Sequence, residues 1–210
     1  MIRVVLADDH HLVRQAMEGM LHESRDIEVL GSVDTGERAV AAARRHRPHV
    51  VLMDVQMPGI GGIEATRRIT QADPGIGVIA VSGRSEGPYP DRMLRSGARG
   101  YVPKRAHRDE LLQAIHVVSQ GRLYICREIA EQLALARGRA ERDPFREVTQ
   151  RELEVLLRLL NGMVGKDIAR ELSLSQKTVS AHRKRLLDRI GARNEAELAR
   201  AAVAYGIIEA

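Results

Sequence analysis

Residues 50–62 read VVLMDVQMPGIGG. A short aliphatic run ends on Asp54, and a Pro-Gly turn follows at residues 58–59. An apolar run of this kind, closed by a turn, is the pattern of a strand buried on both faces. The same pattern recurs outward from it in both directions. Ile2–Ala7, Ile27–Val33, Ile76–Val81 and Gly100–Val102 are further short aliphatic runs. Between them apolar residues fall at helical spacing: Leu12, Ala16 and Met20 within 10–22, then 39–47 stopped by Pro48, 63–69, 93–96 ended by Gly97, and 111–118 ended by Gly121. Continuous apolar strands alternating with helices predict an α/β unit over residues 1–121, a five-stranded parallel sheet with helices on both faces.

Parallel sheets bind ligands outside the carboxyl ends of their strands. Those ends are therefore where chemistry is sought. The first strand runs into Asp8-Asp9, the third into Asp54, the fourth ends at Ser82, and Lys104 follows the fifth. With the first and third strands adjacent, the carboxylates converge. Two unit charges 4 Å apart repel by about 4 kcal/mol at an effective dielectric of about 20. Such a cluster needs a cation or a raised pKa. Oxygen donors suit Mg²⁺ (or Mn²⁺), which also favours phosphate oxygens. A carboxylate beside that ion can attack a phosphoryl group. Ser82 and Lys104 then offer a hydroxyl and an ammonium to its oxygens.

Other chemistries fit less well. The PGIGG turn follows the third strand, and its spacing is not that of a dinucleotide loop. His10 and His11 have no partner His or Cys cluster in sequence, so they read as solvated residues at a helix start. A phosphohydrolase working through an aspartyl phosphate would carry an acid two residues after the nucleophile, and Gln56 stands there. A constitutive, unphosphorylated unit would have no use for Asp8, Asp9, Asp54 and Lys104 together. Lys104 is one of only four lysines against 29 arginines, so lysine at this strand end is specific.

The pattern changes after residue 121. Residues 128–136 suit a helix, and the charged stretch ARGRAERDP (136–144) follows. Residues 122–144 read as a partly helical linker. Residues 145–210 have no strand-like run and predict four helices, near 149–160, 165–172, 176–190 and 195–205. Thr149-x-x-Glu152 is a capping-box pattern, Asn194 can cap the last helix, and Gly162 and Gly191 punctuate.

Helix 176–190 has an apolar face of Val179, Leu186 and Ile190. A second face carries Lys177, Ser180, Ala181 and Lys184, with Arg185 beside it. Such a helix can dock on a partner helix and enter a DNA major groove. The net charge of +5 says little by itself, but residues 177–189 hold five basic side chains against Asp188.

The combination Asp8-Asp9, Asp54 within LMDVQMPGIGG, Ser82 and Tyr101-Val102-Pro103-Lys104 resembles the receiver domain of two-component response regulators. That resemblance implies a flavodoxin-like fold, a phosphoacceptor at Asp54 and a sensor histidine kinase as phosphodonor. It also implies Mg²⁺ held by Asp8, Asp9, Asp54 and the Gln56 carbonyl, with Ser82 and Tyr101 as switch residues. Thr149-x-x-Glu152, Asn161-Gly162, Lys166-x-Ile168-Ala169 and Leu174-Ser175-x-Lys177-Thr178-Val179-x-x-His182 resemble the helix-turn-helix domain of the LuxR/NarL (NarL/FixJ) group. Carried over, Lys177, Thr178, Ser180, Ala181, Lys184 and Arg185 meet double-stranded DNA, and helix 195–205 supports a homodimer on an inverted repeat. Residues 121–136, the loop EGPYP (86–90) and VLMDVQMPGIGGIEATRRI are similar to the GacA/UvrY subgroup. That subgroup implies a membrane-bound hybrid kinase and promoters of small regulatory RNAs.

Composition agrees with these readings. Hydrophobic residues make up 44% and aromatics 2%, with Phe145 the only Phe, so the cores are aliphatic. Cys126 is the only cysteine, which excludes an intrachain disulfide and suits a reducing compartment. No leader-like segment opens the sequence, and no apolar stretch approaches the roughly 20 residues of a membrane helix. The expectation is a cytoplasmic protein with no membrane insertion.

Overall fold

The computed structural model describes residues 1–83, 88–137, 144–145, 147–205 and 207–208. Residues 86–87 of the EGPYP loop and 138–143 of the charged stretch lie outside the described residues. The chain divides into two compact units, Met1–Leu133 and Ala134–Ala210.

In the first unit, β1 (Ile2–Ala7), β2 (Ile27–Val33), β3 (Val50–Met53), β4 (Gly77–Ser82), β5 (Gly100–Pro103) and β6 (Tyr124–Ile125) form one sheet in the order β2-β1-β3-β4-β5-β6. Every neighbouring pair is parallel. The helices within this unit are α1 (His11–His22), α2 (Gly36–His46), α3 (Gly61–Ala72), α4 (Tyr89–Arg95) and α5 (Arg108–Ser119), and α6 (Arg127–Arg137) crosses the division at Leu133. Every residue of β3, β4 and β5 is buried, as an apolar strand covered on both faces requires. Val4, Leu6, Val50, Leu52, Ile79, Val81 and Val102 pack with Leu21, Ile115 and Val118 into an aliphatic core. Each such side chain contributes about 1.5–3 kcal/mol of transfer free energy when fully buried.

Among the described residues the sheet has six strands where five were expected. Tyr124 and Ile125, read from sequence as linker, pair with Gly100 and Tyr101 of β5. The pairing is two residues long, too short to show a period, and it uses the outer edge that β5 would otherwise leave open. Several helices also begin earlier than the apolar spacing implied. α2 starts at Gly36, because its first turn is polar and Thr35 caps it by accepting from Arg38 N–H. α4 starts at Tyr89, with a proline in its first turn where no intrahelical donor is needed.

Among the described residues, four helices lie wholly within the second unit, as expected: α7 (Gln150–Leu160), α8 (Gly165–Glu171), α9 (Gln176–Ile190) and α10 (Glu195–Ala204). The capping box at Thr149 and Glu152 is present. Ser175 caps α9 and Asn194 caps α10, each through its side-chain oxygen. Leu153, Leu156, Ile168, Val179, Leu186 and Leu198 are buried between the helices. Phe145 joins them against Tyr205, with ring centroids 6.0 Å apart. Among the described residues, no helix is long and apolar enough to cross a membrane.

Candidate functional site: an acidic pocket and a basic helix

The register of the sheet brings the strand ends together. Ala7 pairs with Met53, Met53 with Ala80, and Ser82 with Pro103. The ladder continues past the strands: Asp54 N–H donates to the Ala7 carbonyl at 2.7 Å, and Lys104 N–H to the Ser82 carbonyl at 2.8 Å. Asp8, Asp54, Ser82 and Lys104 therefore leave four adjacent strands at one edge.

The loop after Asp54 is held from two sides. Ile60 N–H donates to Glu37 Oε1 at 3.0 Å, and Gly62 N–H donates to the Val55 carbonyl at 3.1 Å. A Cβ on Gly62 would lie 1.9 Å from the Asp54 carbonyl oxygen, so only glycine lets α3 begin this close to the site. The PGIGG stretch is thus a packing device for the Asp54 loop.

Asp8 and Asp54 are buried. Lys104 Nζ lies 2.6 Å from Asp8 Oδ2 and 3.0 Å from Asp54 Oδ2. Burial pushes the Asp54 pKa up to about 6, opposed by the Lys104 charge and assisted by Asp8. Burial also works against the Lys104 charge, but Asp8 and Asp54 outweigh it and raise its pKa. Gln56 N–H approaches Asp54 Oδ1 at 3.3 Å, and Gln56 Nε2 donates to the Tyr89 hydroxyl at 3.1 Å. Ser82 is buried, and its side chain acts on the Tyr101 hydroxyl. Tyr101 is fully buried, and burial lifts its pKa above the ordinary phenol value.

Sequence reasoning missed three neighbours of this pocket. Arg14, one turn into α1, donates to the Asp8 carbonyl. Tyr89 reaches across from α4 to Gln56. His10, expected to be a solvated helix-start residue, has an exposed ring, yet its Nδ1 lies 2.8 Å from Asp9 Oδ1. Nothing in one-dimensional spacing points these side chains inward.

The donor set fits a divalent cation. Ligand atoms of Asp8, Asp9, His10 and Asp54 all lie within 4.8 Å of one another. Asp8 Oδ2 is buried and makes no hydrogen bond of good geometry, despite its close ion pair with Lys104. Asp9 is more exposed than Asp8.

On α9, Lys177, Ser180, Ala181 and Lys184 share the exposed face, and Thr178 is half-buried beside the Ser175 cap. The arginines are engaged elsewhere. Arg183 Nε bonds Glu195 at 2.8 Å, and Arg189 bonds Glu152 at 2.9 Å and the Glu147 carbonyl. Arg185, assigned to DNA from sequence, is exposed but pairs with Glu152 at 3.4 Å and with His182 Nδ1 at 3.0 Å. Among the described residues no ion pair engages Lys177 or Lys184.

An α/β unit with acids and a lysine at its carboxyl edge, carried with a helix-turn-helix unit on one chain, defines a two-component response regulator. Residues 4–116 match the response regulator receiver domain, and residues 146–202 match the bacterial regulatory proteins of the luxR family. The chain belongs to the response regulators with a LuxR-type DNA-binding domain, and it regulates transcription. Response regulator GacA of Pseudomonas viridiflava is 41% identical over 100% of this chain and 99% of its own length. Response regulator UvrY of Escherichia coli strain K12 is 37% identical over 100% of this chain and 97% of its own. The structure of RcsB from Salmonella enterica serovar Typhimurium, bound to promoter rprA with phosphomimetic BeF3-, has the same fold. It covers 95% of this chain and 97% of its own at TM-score 0.63 and 22% identity.

Proposed function

We propose that Asp54 accepts a phosphoryl group from the phosphohistidine of a sensor histidine kinase, and that this modification gates DNA binding by α9. In domain terms, residues 1–121 are the phosphoacceptor part, 122–144 connect, and 145–210 bind DNA. The observation that carries the reading is the Lys104 ammonium bridging Asp8 and Asp54 at the ends of adjacent strands.

The chemistry follows from the chain's own groups. With a pKa near 6, Asp54 is ionised at neutral pH and nucleophilic. One carboxylate oxygen forms the new P–O bond as the P–N bond of the donor breaks. The imidazole leaves with the electron pair and takes up a proton. Lys104 meets a phosphoryl oxygen as a charge-assisted donor. Asp8, Asp9, Asp54 and the Gln56 carbonyl would hold Mg²⁺ (or Mn²⁺), which would supply the remaining neutralisation of phosphoryl charge. Water later attacks phosphorus as the Asp54 O–P bond breaks, releasing inorganic phosphate and returning Asp54 as carboxylate, so the only catalysis is on the protein's own side chain.

Phosphorylation adds about two negative charges beside Ser82. The Ser82 hydroxyl, close to Tyr101, becomes a donor to the phosphoryl group. Tyr101 then repacks, a local change that biases a two-state element. On the DNA side, Lys177, Thr178, Ser180, Ala181 and Lys184 read the major groove, with Arg185 flanking, and α10 joins two copies on an inverted repeat. The full-length likeness to GacA and UvrY supports a hybrid sensor kinase upstream, promoters of small regulatory RNAs as targets, and a cytoplasmic site of action. Labelling with acetyl phosphate tests the assignment: Asp54→Asn is expected to abolish incorporation in a folded chain. Wild-type labelling of that variant would overturn it.

A further inference from the structure

His10 puts one nitrogen into an otherwise all-oxygen donor set. Its Nδ1 lies 2.8 Å from Asp9 Oδ1, 3.2 Å from Asp8 Oδ1 and 4.0 Å from Asp54 Oδ2. Six donors about 2.1 Å from a shared ion stand about 3 Å apart when adjacent and about 4.2 Å apart when opposite. The two shorter separations are those of hydrogen bonds from Nδ1 to Asp8 and Asp9; with that proton displaced by an ion they suit two adjacent positions around it, and the third suits an opposite one.

The placement has a local cause. His10 is the N-cap of α1, in extended conformation at φ −84° and ψ 105°, and its own N–H donates to Asp8 Oδ1 at 2.8 Å. That bond turns the residue back over the pocket. Its neighbour His11 starts the helix proper and is not among the clustered donors. Asp8 Oδ2 is fully buried, and the Lys104 ammonium is its close partner at 2.6 Å, so both Asp8 oxygens face the pocket that His10 overlies.

We propose that His10 Nδ1 is a ligand of the cation at this site, and that it biases the site toward Mn²⁺ and the later transition divalents over Mg²⁺. This rests on the reading that a cation sits among Asp8, Asp9 and Asp54. Mg²⁺ is a hard ion that prefers oxygen and keeps its waters. Imidazole suits the transition divalents, whose affinity for a nitrogen-containing site rises along the first row from Mn²⁺. The site would therefore respond to which divalent ion the cell supplies as well as to the phosphodonor.

The test uses the full-length chain with Mn²⁺ and Mg²⁺ as probes. Pulsed EPR of the Mn²⁺ complex is expected to show coupling to a directly bound ¹⁴N in the wild type. His10→Ala is expected to lose that coupling and to weaken Mn²⁺ binding by about tenfold, while Mg²⁺ binding changes by less than about twofold. His10→Asn, which puts a favoured N-cap residue at the start of α1, should lose the nitrogen signal in the same way, and His11→Ala should keep it. A wild-type Mn²⁺ spectrum without nitrogen coupling overturns the proposal. So does a His10→Ala protein that binds both ions as tightly as the wild type or tighter, or loses both equally. If Asp54→Asn leaves Mn²⁺ affinity unchanged, the cation reading fails by itself, whatever His10 does.

Discussion

Lys104 Nζ lies 3.0 Å from Asp54 Oδ2 across a sequence separation of 50 residues, and the same ammonium lies 2.6 Å from Asp8 Oδ2. One cation thus serves two buried carboxylates. Burial is the main reason that Asp54 holds its proton to about pH 6; the Lys104 charge opposes it and the Asp8 carboxylate assists it.

That elevation has a signed consequence for stability. The folded pKa of about 6 exceeds the unfolded value of 3.8, so the folded state binds the proton more tightly. The resulting stability is complete below about pH 4 and is lost as pH rises through about 6. In buffer without divalent ions, Asp54→Asn should therefore gain up to about 3 kcal/mol in urea unfolding at pH 7.5 and close to nothing at pH 4. An equal gain at both pH values would contradict the account of Asp54.

The glycines make a paired test of packing at the site. Gly62→Ala places a methyl 1.9 Å from the Asp54 carbonyl oxygen. It should cost about 2 kcal/mol or more and slow acetyl-phosphate labelling. Gly19 lies within α1 with nothing within 4 Å of an added Cβ. Gly19→Ala should stabilise by about 0.5–1 kcal/mol and leave labelling unchanged. Similar labelling rates in the two variants would remove the proposed role of the PGIGG turn.

The sheet edge was legible in sequence because burial writes itself as aliphatic runs, and the runs end at Asp8, Asp54, Ser82 and Lys104. Helix starts were less legible, since the first turn of α2 is polar and is set by the Thr35 cap rather than by a buried face. β6 was not legible, because its two residues carry no period. The inward turn of His10 depends on its N-cap backbone, and the commitment of Arg185 and Arg189 depends on Glu152 from α7. Spacing along one helix shows which face a residue occupies, but a partner on another helix decides whether its charge is available.

Glu152 is that partner, and it should be costly to neutralise. Its Oε2 accepts from Thr149 N–H and Oγ1, both at 3.0 Å, and from Arg189 at 2.9 Å. Burial raises its pKa, but Thr149, Arg189 and Arg185 outweigh burial and leave it lowered. A lowered folded pKa means stability that is present above the unfolded value of 4.5 and lost as pH falls through the folded one. Glu152→Gln should destabilise the second unit by about 1–3 kcal/mol at pH 7, with a smaller difference from wild type at pH 3.5, read by thermal unfolding. A difference that grows on acidification would reverse the assigned sign.

The basic helix separates arginines held within the unit from lysines that face outward. Arg183 is tied to Glu195 and Arg189 to Glu152, whereas Lys184 lies on the exposed face with Lys177, Ser180 and Ala181. Lys184→Ala should therefore weaken binding to a site obtained by random-sequence selection by about 1–3 kcal/mol, and binding to random duplex by much less. Arg189→Ala should instead act mainly on thermal stability, because it removes a partner from buried Glu152. Titrations at several salt concentrations separate base contact from phosphate contact. A base contact leaves the slope of log K against log salt nearly unchanged, whereas a lost phosphate contact makes it shallower by about 1. A uniform loss on all sequences with that shallower slope would move Lys184 from base reader to phosphate contact, and specificity would then rest on Ser180, Ala181 and Lys177.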